Sequence, residues 1–307
     1  MMAAARAAER LVDRLPPVRG GYLADAPLRR YAWFRVGGPA EVLFEPADED
    51  DLAQFLAQRP RDAALTVIGL CSNLLVRDGG VRGVVVRLGR AFAEVAADGE
   101  TVTAGAGAAD IAVARFAAER GVAGLEFLRG IPGAIGGAVR MNAGAYGAEI
   151  RDVLAEASAL DGDGRRRSAS AEALGLSYRH SEAPADWIFT RAVLRGRRDE
   201  PAAIQARMAK ITEARDATQP TRARTGGSTF KNPPGARAWE LIDRAGCRGL
   251  RRGAAQVSEL HCNFLINLGG ASAADLEGLG EEVRRRVREA SGVELEWEIA
   301  RIGEPAP

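Results

Sequence analysis

Cysteine, histidine and lysine are all scarce in this 307-residue chain, and each scarcity closes off a class of chemistry. Cys71, Cys247 and Cys262 are odd in number and show no C-x-x-C spacing, so neither a disulfide framework nor a thiolate metal site is expected. His180 and His261 are the only histidines and form no H-E-x-x-H pair, which argues against a catalytic metal. No run of 18 apolar residues occurs, so no transmembrane helix and no membrane insertion are predicted. Arg6, Glu9, Arg10, Asp13 and Arg14 interrupt the apolar stretch that a signal peptide needs. Charge of one sign is missing too: 42 basic residues face 41 acidic ones, which removes the electrostatic case for a nucleic-acid partner or an anionic membrane. All the basic residues except Lys210 and Lys231 are arginines, a skew that reads as genome base composition. What remains is the profile of a reduced, cytoplasmic, soluble protein, 47% apolar and 27% charged, long enough for two average domains.

The local pattern alternates helix and strand signals. A short amphipathic helix is expected at the start, ended by Pro16-Pro17. Helices are predicted over Asp48 to Gln58, with acids in its first turn, and over Ala109 to Arg120, stopped by Gly121. Further helices are predicted over Pro201 to Arg215, Ala236 to Ala245 and Ala273 to Ala290. Strands are expected around Glu41 to Glu45, Ala64 to Ile68, Val84 to Leu88, Val153 to Leu160, Trp187 to Leu194, Cys262 to Asn267 and Val293 to Ile302. Phe92 to Ala104 reads as a hairpin about Asp98-Gly99. The fold class is α+β with mixed sheets, divided as residues 1–90, 91–205 and 206–307.

Two glycine loops stand out. Gly130 to Gly147 holds six glycines in 18 positions, too many for a stable helix or strand interior at about 1 kcal/mol each relative to alanine. Bare backbone N–H groups of this kind approach phosphates closely, and Pro132 stiffens the entry. Gly69 to Val76 offers Ser72 and Asn73 as further donors at a strand end, so the two loops together suggest a diphosphate cradle. A third segment, Gly105 to Asp110, mimics a dinucleotide fingerprint, but Asp110 replaces its last glycine. A carboxylate there would crowd the helix packing and repel a pyrophosphate, so a Rossmann site is not expected.

W-F-R-V-G-G-P-A (Trp33 to Ala40), the Ser72-Asn73 loop, the Gly130 to Gly147 stretch, S-Y-R-H-S (Ser177 to Ser181), G-S-T-F-K-N-P (Gly227 to Pro233) and the closing L-E-W-E-I follow one another in an order that resembles the UDP-N-acetylenolpyruvoylglucosamine reductases. The likeness runs from about Leu28 to Gly303. It implies a two-lobed FAD-binding fold of the vanillyl-alcohol-oxidase (PCMH) type and a C-terminal substrate-binding domain. It further implies that the FAD is non-covalent and that NADPH is the reductant. The expected reaction converts the enolpyruvyl ether of UDP-N-acetylglucosamine into UDP-N-acetylmuramate, a step of peptidoglycan precursor synthesis.

The same likeness assigns residues. Arg35, Gly37, Gly38, Gly69, Ser72, Asn73, Leu74, Gly130, Pro132, Gly133, Gly136, Gly137, Asn142 and Gly144 are expected at the cofactor. Arg179 matches the catalytic arginine, Ser228 the proton-donating serine and Glu298 the C-terminal glutamate, while Tyr178, Lys231 and Asn232 are expected at the UDP sugar. The chemistry asks for such groups independently. Reducing a C=C bond conjugated to a carboxylate needs hydride at the β-carbon, a fixed cation or donors for the enolate, and an acid for the α-carbon. Alternation puts Leu295, Trp297 and Ile299 on one face and both Glu296 and Glu298 on the other; only the family spacing to Gly303 picks Glu298. His261 and Cys262 read as structural. The few residues from Glu182 to Asp186 leave no room for the tyrosine-bearing lid loop of the longer form of the family, so closure by a lid tyrosine is not expected. Two other readings compete: another flavin oxidase on the same scaffold, and a non-catalytic nucleotide-binding module.

Overall fold

In the computed structural model, residues 10–306 are described. The helix expected at the start lies mostly outside them, and only a single 3-10 turn, Leu11–Arg14, is seen. The first lobe is a four-stranded sheet in the order Gly21–Pro27, Pro39–Glu45, Val81–Arg87, Leu65–Ile68, the first pair antiparallel and the rest parallel. Val84, Val85 and Val86 are all fully buried because their strand is covered on both faces, as central parallel strands are. Val84 and Val86 pack on Leu52 and Phe55 of the helix Glu49–Gln58, whereas Val85 packs with Leu43 and Ile68 on the other side.

That helix starts where the sequence signalled, with the Asp48 side chain accepting from Asp51 N–H at 2.9 Å. Asp51 has a second task. Its buried carboxylate accepts from the backbone N–H groups of Arg19 (2.7 Å), Gly20 (2.8 Å) and Ala47 (2.9 Å). Burial pushes its pKa up, but these donors overrule it and hold it below the ordinary value. Asp51→Ala removes the shared acceptor of three part-buried backbone donors and is expected to cost about 1–3 kcal/mol, read as a lower urea midpoint at unchanged slope.

The second lobe is a five-stranded antiparallel sheet, ordered Arg166–Ala169, Leu154–Leu160, Ile188–Arg195, Thr101–Gly105, Val95–Asp98. Helices Asp110–Glu119 and Pro201–Thr218 contribute Val113, Ala117, Ile204 and Met208 to its core. The second of these runs unbroken past residue 206, so its packing supports a division after Thr218. Ala106, Leu160 and Ile188 join the core beneath the first lobe, which welds the two lobes along one seam.

The C-terminal lobe has a three-stranded sheet (Arg251–Arg252, Ala255–Val257, Leu265–Asn267) under helices Ala238–Arg244 and Ala273–Ser291. His261 packs edge-on between Trp239 and Phe264, and Cys262 Sγ donates to Trp239 O at 3.0 Å, both inside the lobe. All three cysteines are buried free thiols. The closing segment differs from expectation. Only Ala300–Ile302 forms a strand, parallel to Leu74–Val76 of the first lobe. Residues 293–299 are not in a ladder because Leu295 and Ile299 turn into the C-terminal core, leaving one bridge between Trp297 and Phe230. The alternation of burial survives from Glu294 to Trp297 and breaks at Glu298, whose side chain is largely buried.

A second correction concerns the glycine-rich stretch, where Ile135–Arg140 is helical despite Gly136 and Gly137. Tertiary contact overrides propensity: Ile135 and Gly136 N–H donate to Ala108 O and Ala106 O at 3.0 and 2.9 Å. A Cβ on Gly136 would lie 2.9 Å from Ala106 Cβ, so only glycine allows this approach.

Candidate active site

Three loops from three lobes converge. The first is Gly69–Asn73, leaving the strand Leu65–Ile68. The second is the glycine-rich loop with its short helix. The third comes from the C-terminal lobe, where Gly227 (φ +82°) turns the chain into Ser228 and Thr229. Among the described residues six non-glycine residues have left-handed backbone, and five of them (Arg35, Cys71, Asn142, Tyr146 and Arg179) lie in or beside these loops. Strain of about 1–3 kcal/mol each, held in one neighbourhood, marks a functional site.

Between the first two lobes lies a cavity of about 460 Å³, lined by Ile68, Gly69, Leu88, Gly136, Gly137, Arg140, Asp186 and Phe189, among others. A Cβ on Gly137 would meet nothing within 4 Å, and one on Gly69 only Ala134 Cβ at 3.6 Å, so both turn bare backbone to open space. In the same wall the buried Arg59 Nε has no partner. Arg59 Nη1 donates to Ala63 O at 3.1 Å, and a glycine-lined cavity with a spare guanidinium donor in its wall fits a dinucleotide carrying a diphosphate. Gly137→Leu places a better helix former in that space. The variant is expected to fold at least as well as wild type and to lose its flavin, measured as absorbance near 450 nm per protein.

The other glycine-loop residues divide by task. Ser72 Oγ lies 3.8 Å from where a Gly133 Cβ would be, which places these two side by side, with Pro132 next in the loop. Gly130 lets the Tyr146 ring lie against the backbone, where a Cβ would be 2.7 Å from the ring. Asn73 Nδ2 donates to Glu298 O at 3.0 Å and to Met141 Sδ at 3.1 Å, tying all three lobes together. Leu74, next to it, pairs with Ala300. Gly37 and Gly38 pack on the turn at residues 76–80, where a Cβ would collide with Val76 and Asp78 O. The fully buried Asn142 spends its amide internally, on Glu149 Oε2 (2.8 Å), Ser177 O (2.9 Å) and Arg151 N–H (2.9 Å). Arg35 lines a separate recess with Trp33, Arg222 and Arg224.

Ser177 and His180 close a two-residue turn by reciprocal backbone bonds of 3.1 and 3.0 Å, leaving Tyr178 and Arg179 at its tip. Arg179 Nε donates to Glu298 Oε1 at 2.5 Å and Nη2 to Gly144 O at 3.1 Å, with the guanidinium over the Tyr178 ring. The pair is largely buried. Burial raises the Glu298 pKa, with Arg179 and Lys231 pulling the other way without winning. Glu298 N–H donates to Thr229 O at 2.8 Å, so Ser228 sits one residue from the strand-like contact that carries the pair. Glu296, the alternative acid, is largely exposed and salt-bridged to Lys231 Nζ at 2.5 Å. The Tyr178 hydroxyl accepts from Asn232 N–H at 3.3 Å, while Asn232 Oδ1 accepts from Ala238 N–H at 3.0 Å.

Sequence reasoning missed three participants. Asp110 is wholly buried beside Gly133 with neither oxygen bonded. Arg140 donates to Ala183 O, Pro184 O and Trp187 O, pinning the short connection where a lid loop is absent. Met141 meets Asn73. An acid at a strand–helix turn was the one available signal, for Asp110.

A glycine-lined cavity at a two-lobe seam, with a buried arginine–carboxylate pair where the three loops meet, suits a flavin-dependent oxidoreductase with a separate substrate lobe. Comparison with known proteins agrees: residues 40–170 match the FAD binding domain family, and residues 219–302 match the C-terminal domain of UDP-N-acetylenolpyruvoylglucosamine reductase. The chain is 63% identical over 296 residues to the UDP-N-acetylenolpyruvoylglucosamine reductase of Azorhizobium caulinodans, covering 96% of both, and 61% identical to that of Parvibaculum lavamentivorans, covering 98% of this chain and 97% of the relative. The crystal structure of the Thermus caldophilus enzyme superposes with a TM-score of 0.80 at 37% identity, over 94% of this chain and all of that one. The chain belongs to the UDP-N-acetylenolpyruvoylglucosamine reductase family, and its fold is the α+β, two-lobed FAD-binding fold with C-terminal domain that the motifs implied.

Proposed function

We propose that this chain reduces UDP-N-acetylglucosamine enolpyruvate to UDP-N-acetylmuramate, with NADPH as electron source and non-covalent FAD as carrier, in cytoplasmic peptidoglycan precursor synthesis. The observation that carries the reading is the buried Arg179–Glu298 pair at the meeting of all three lobes. Backbone of Gly69, Gly136 and Gly137, with Ser72 and Asn73, would hold the cofactor. Bound there, FAD would supply the hydride chemistry that links NADPH to the β-carbon of the enolpyruvyl group.

The chain's own residues handle charge and proton. With Nε and Nη2 engaged, Arg179 has Nη1 left to meet the substrate carboxylate, where enolate charge collects. Its raised pKa lets Glu298 carry a proton, and a protonated Glu298 loosens its hold on Arg179 and donates toward the enolate. Ser228, fixed by its neighbours' backbone bonds, delivers the proton to the α-carbon. Tyr178, Lys231 and Asn232 line the approach to this point and suit the UDP sugar. Lys231 is already paired with exposed Glu296, a weak bond that a diphosphate displaces.

The deciding experiment is anaerobic NADPH consumption by the purified yellow protein, with and without the enolpyruvyl sugar, and mass analysis of the product. Substrate-dependent consumption with a product two hydrogens heavier supports the reading. A flavin that NADPH reduces but the enolpyruvyl sugar does not reoxidise refutes it and favours an oxidase of alcohols or aldehydes.

A further inference from the structure

Where the first lobe meets the C-terminal lobe, Arg77 is ion-paired with Glu277 and Arg301 with Glu277 and Glu281. A recess of about 410 Å³ between the first lobe and the entry to the C-terminal lobe differs. It is lined by Trp33, Arg35, Arg222, Ala223 and Arg224. Among the described residues no carboxylate pairs with any of the three arginines, and their one side-chain bond runs from Arg35 Nη1 to Arg30 O at 2.6 Å. All three side chains are exposed, so water screens their repulsion, but together they leave one recess positively charged and open to an anion. Arg35 is also held at φ +59°, a conformation its side chain does not favour.

Both walls are fixed to the active site. Trp33 N–H donates to Cys71 O at 3.4 Å, next to Ser72. On the other wall, Asn267 N–H donates to Arg224 O at 3.0 Å and Asn267 Nδ2 to Phe34 O at 2.8 Å, four residues before Ser228 begins. The recess shares no lining residue with the glycine-lined cavity. It lies apart from that cavity and next to the loops that carry Ser72 and Ser228.

We propose that this recess is a phosphate-binding subsite for an exchangeable nucleotide, the three guanidiniums gripping a phosphate while Trp33 covers its base or sugar. Planar donor forks match phosphate oxygens in pairs, and the Trp33 ring is 38% exposed and free to stack. The inference deepens the function proposed above: the phosphate belongs either to the 2′-position of NADPH or to the diphosphate of the UDP sugar.

The test compares wild-type holoenzyme with Arg222→Ala/Arg224→Ala and Arg222→Lys/Arg224→Lys, by calorimetric titration with adenosine 2′,5′-bisphosphate and with UDP at two salt concentrations. The alanine pair is expected to weaken at least one probe by roughly ten- to a hundredfold and to flatten its salt dependence, with the lysine pair recovering part of the loss. Loss confined to the bisphosphate assigns the recess to NADPH, and loss confined to UDP assigns it to the sugar nucleotide. Wild-type affinity for both probes, within about twofold, overturns the proposal. So does release of flavin with probe binding unchanged. Failure of the wild-type enzyme to turn over the enolpyruvyl sugar defeats the proposed reaction separately, since probe binding still decides the recess.

Discussion

Ser228→Ala is expected to leave reduction of the flavin by NADPH at its wild-type rate and to slow reoxidation by the enolpyruvyl sugar by about 10²–10⁴-fold, the contribution of a positioned proton donor. A serine hydroxyl is a poor acid in water, so the argument rests on its setting. Gly227 turns the chain at φ +82°, Thr229 N–H donates to Asn263 O at 2.7 Å, and Thr229 O accepts from Glu298 N–H at 2.8 Å. The hydroxyl is thus carried on backbone fixed on its C-terminal side and beside a glutamate that burial inclines to hold a proton. NADPH oxidation needs no proton at substrate carbon, so only the second half-reaction feels the loss. Stopped-flow traces at the flavin band, taken for each half-reaction alone, separate the two. Equal slowing of both would mean that Ser228 shapes the pocket and is not the donor.

The sequence made the frame legible where local signals and packing agree. Asp48 to Gln58 carried a cap, acids in its first turn and an apolar face, and its helix appears one residue inside that range. The Asp98-Gly99 hairpin formed where its turn chemistry required. What the pattern could not carry was contact between distant segments. The helix Ile135–Arg140 exists because Gly136 fits against Ala106, which no count of glycines reveals. The last strand is short because Leu295 and Ile299, just before it, turn into the core of the C-terminal lobe instead of joining a ladder. In the candidate site, motif order placed Arg179 and Glu298, and the fold brings them to 2.5 Å across 119 residues. Periodicity alone left Glu296 and Glu298 equal. Burial separates them, since one pairs with Lys231 at the surface and the other with Arg179 inside. Arg35, by contrast, lies in the recess with Arg222 and Arg224, a grouping that only the approach of residues 222–224 to the first lobe creates.

Asp110 yields the other large effect. A carboxylate at this strand–helix turn reads as an obstacle to a bound diphosphate, yet it is present, wholly buried, with neither oxygen bonded and with Oδ2 only 2.7 Å from where a Gly133 Cβ would lie. Burial raises its pKa well above the ordinary value, against a weaker pull from the neighbouring Gly133 backbone, which lies outside hydrogen-bond geometry. As a neutral acid the side chain neither repels an anion at the neighbouring loop nor places a bare charge in the core. The cost appears in stability. In the unfolded chain the group ionises near pH 3.8, whereas in the native protein it keeps its proton to higher pH. Between these points the native state binds more protons than the unfolded one, so the group's contribution is fully present below about pH 3.8 and falls by about 1.4 kcal/mol per pH unit as pH rises toward the native value. Asp110→Asn has nothing to titrate. Its urea midpoint, followed from pH 5 to pH 8, is expected to lose that part of the slope and to gain on wild type steadily with pH. Parallel curves for the two proteins would show that Asp110 is already ionised in the native state and that the acid at the cradle is tolerated for another reason.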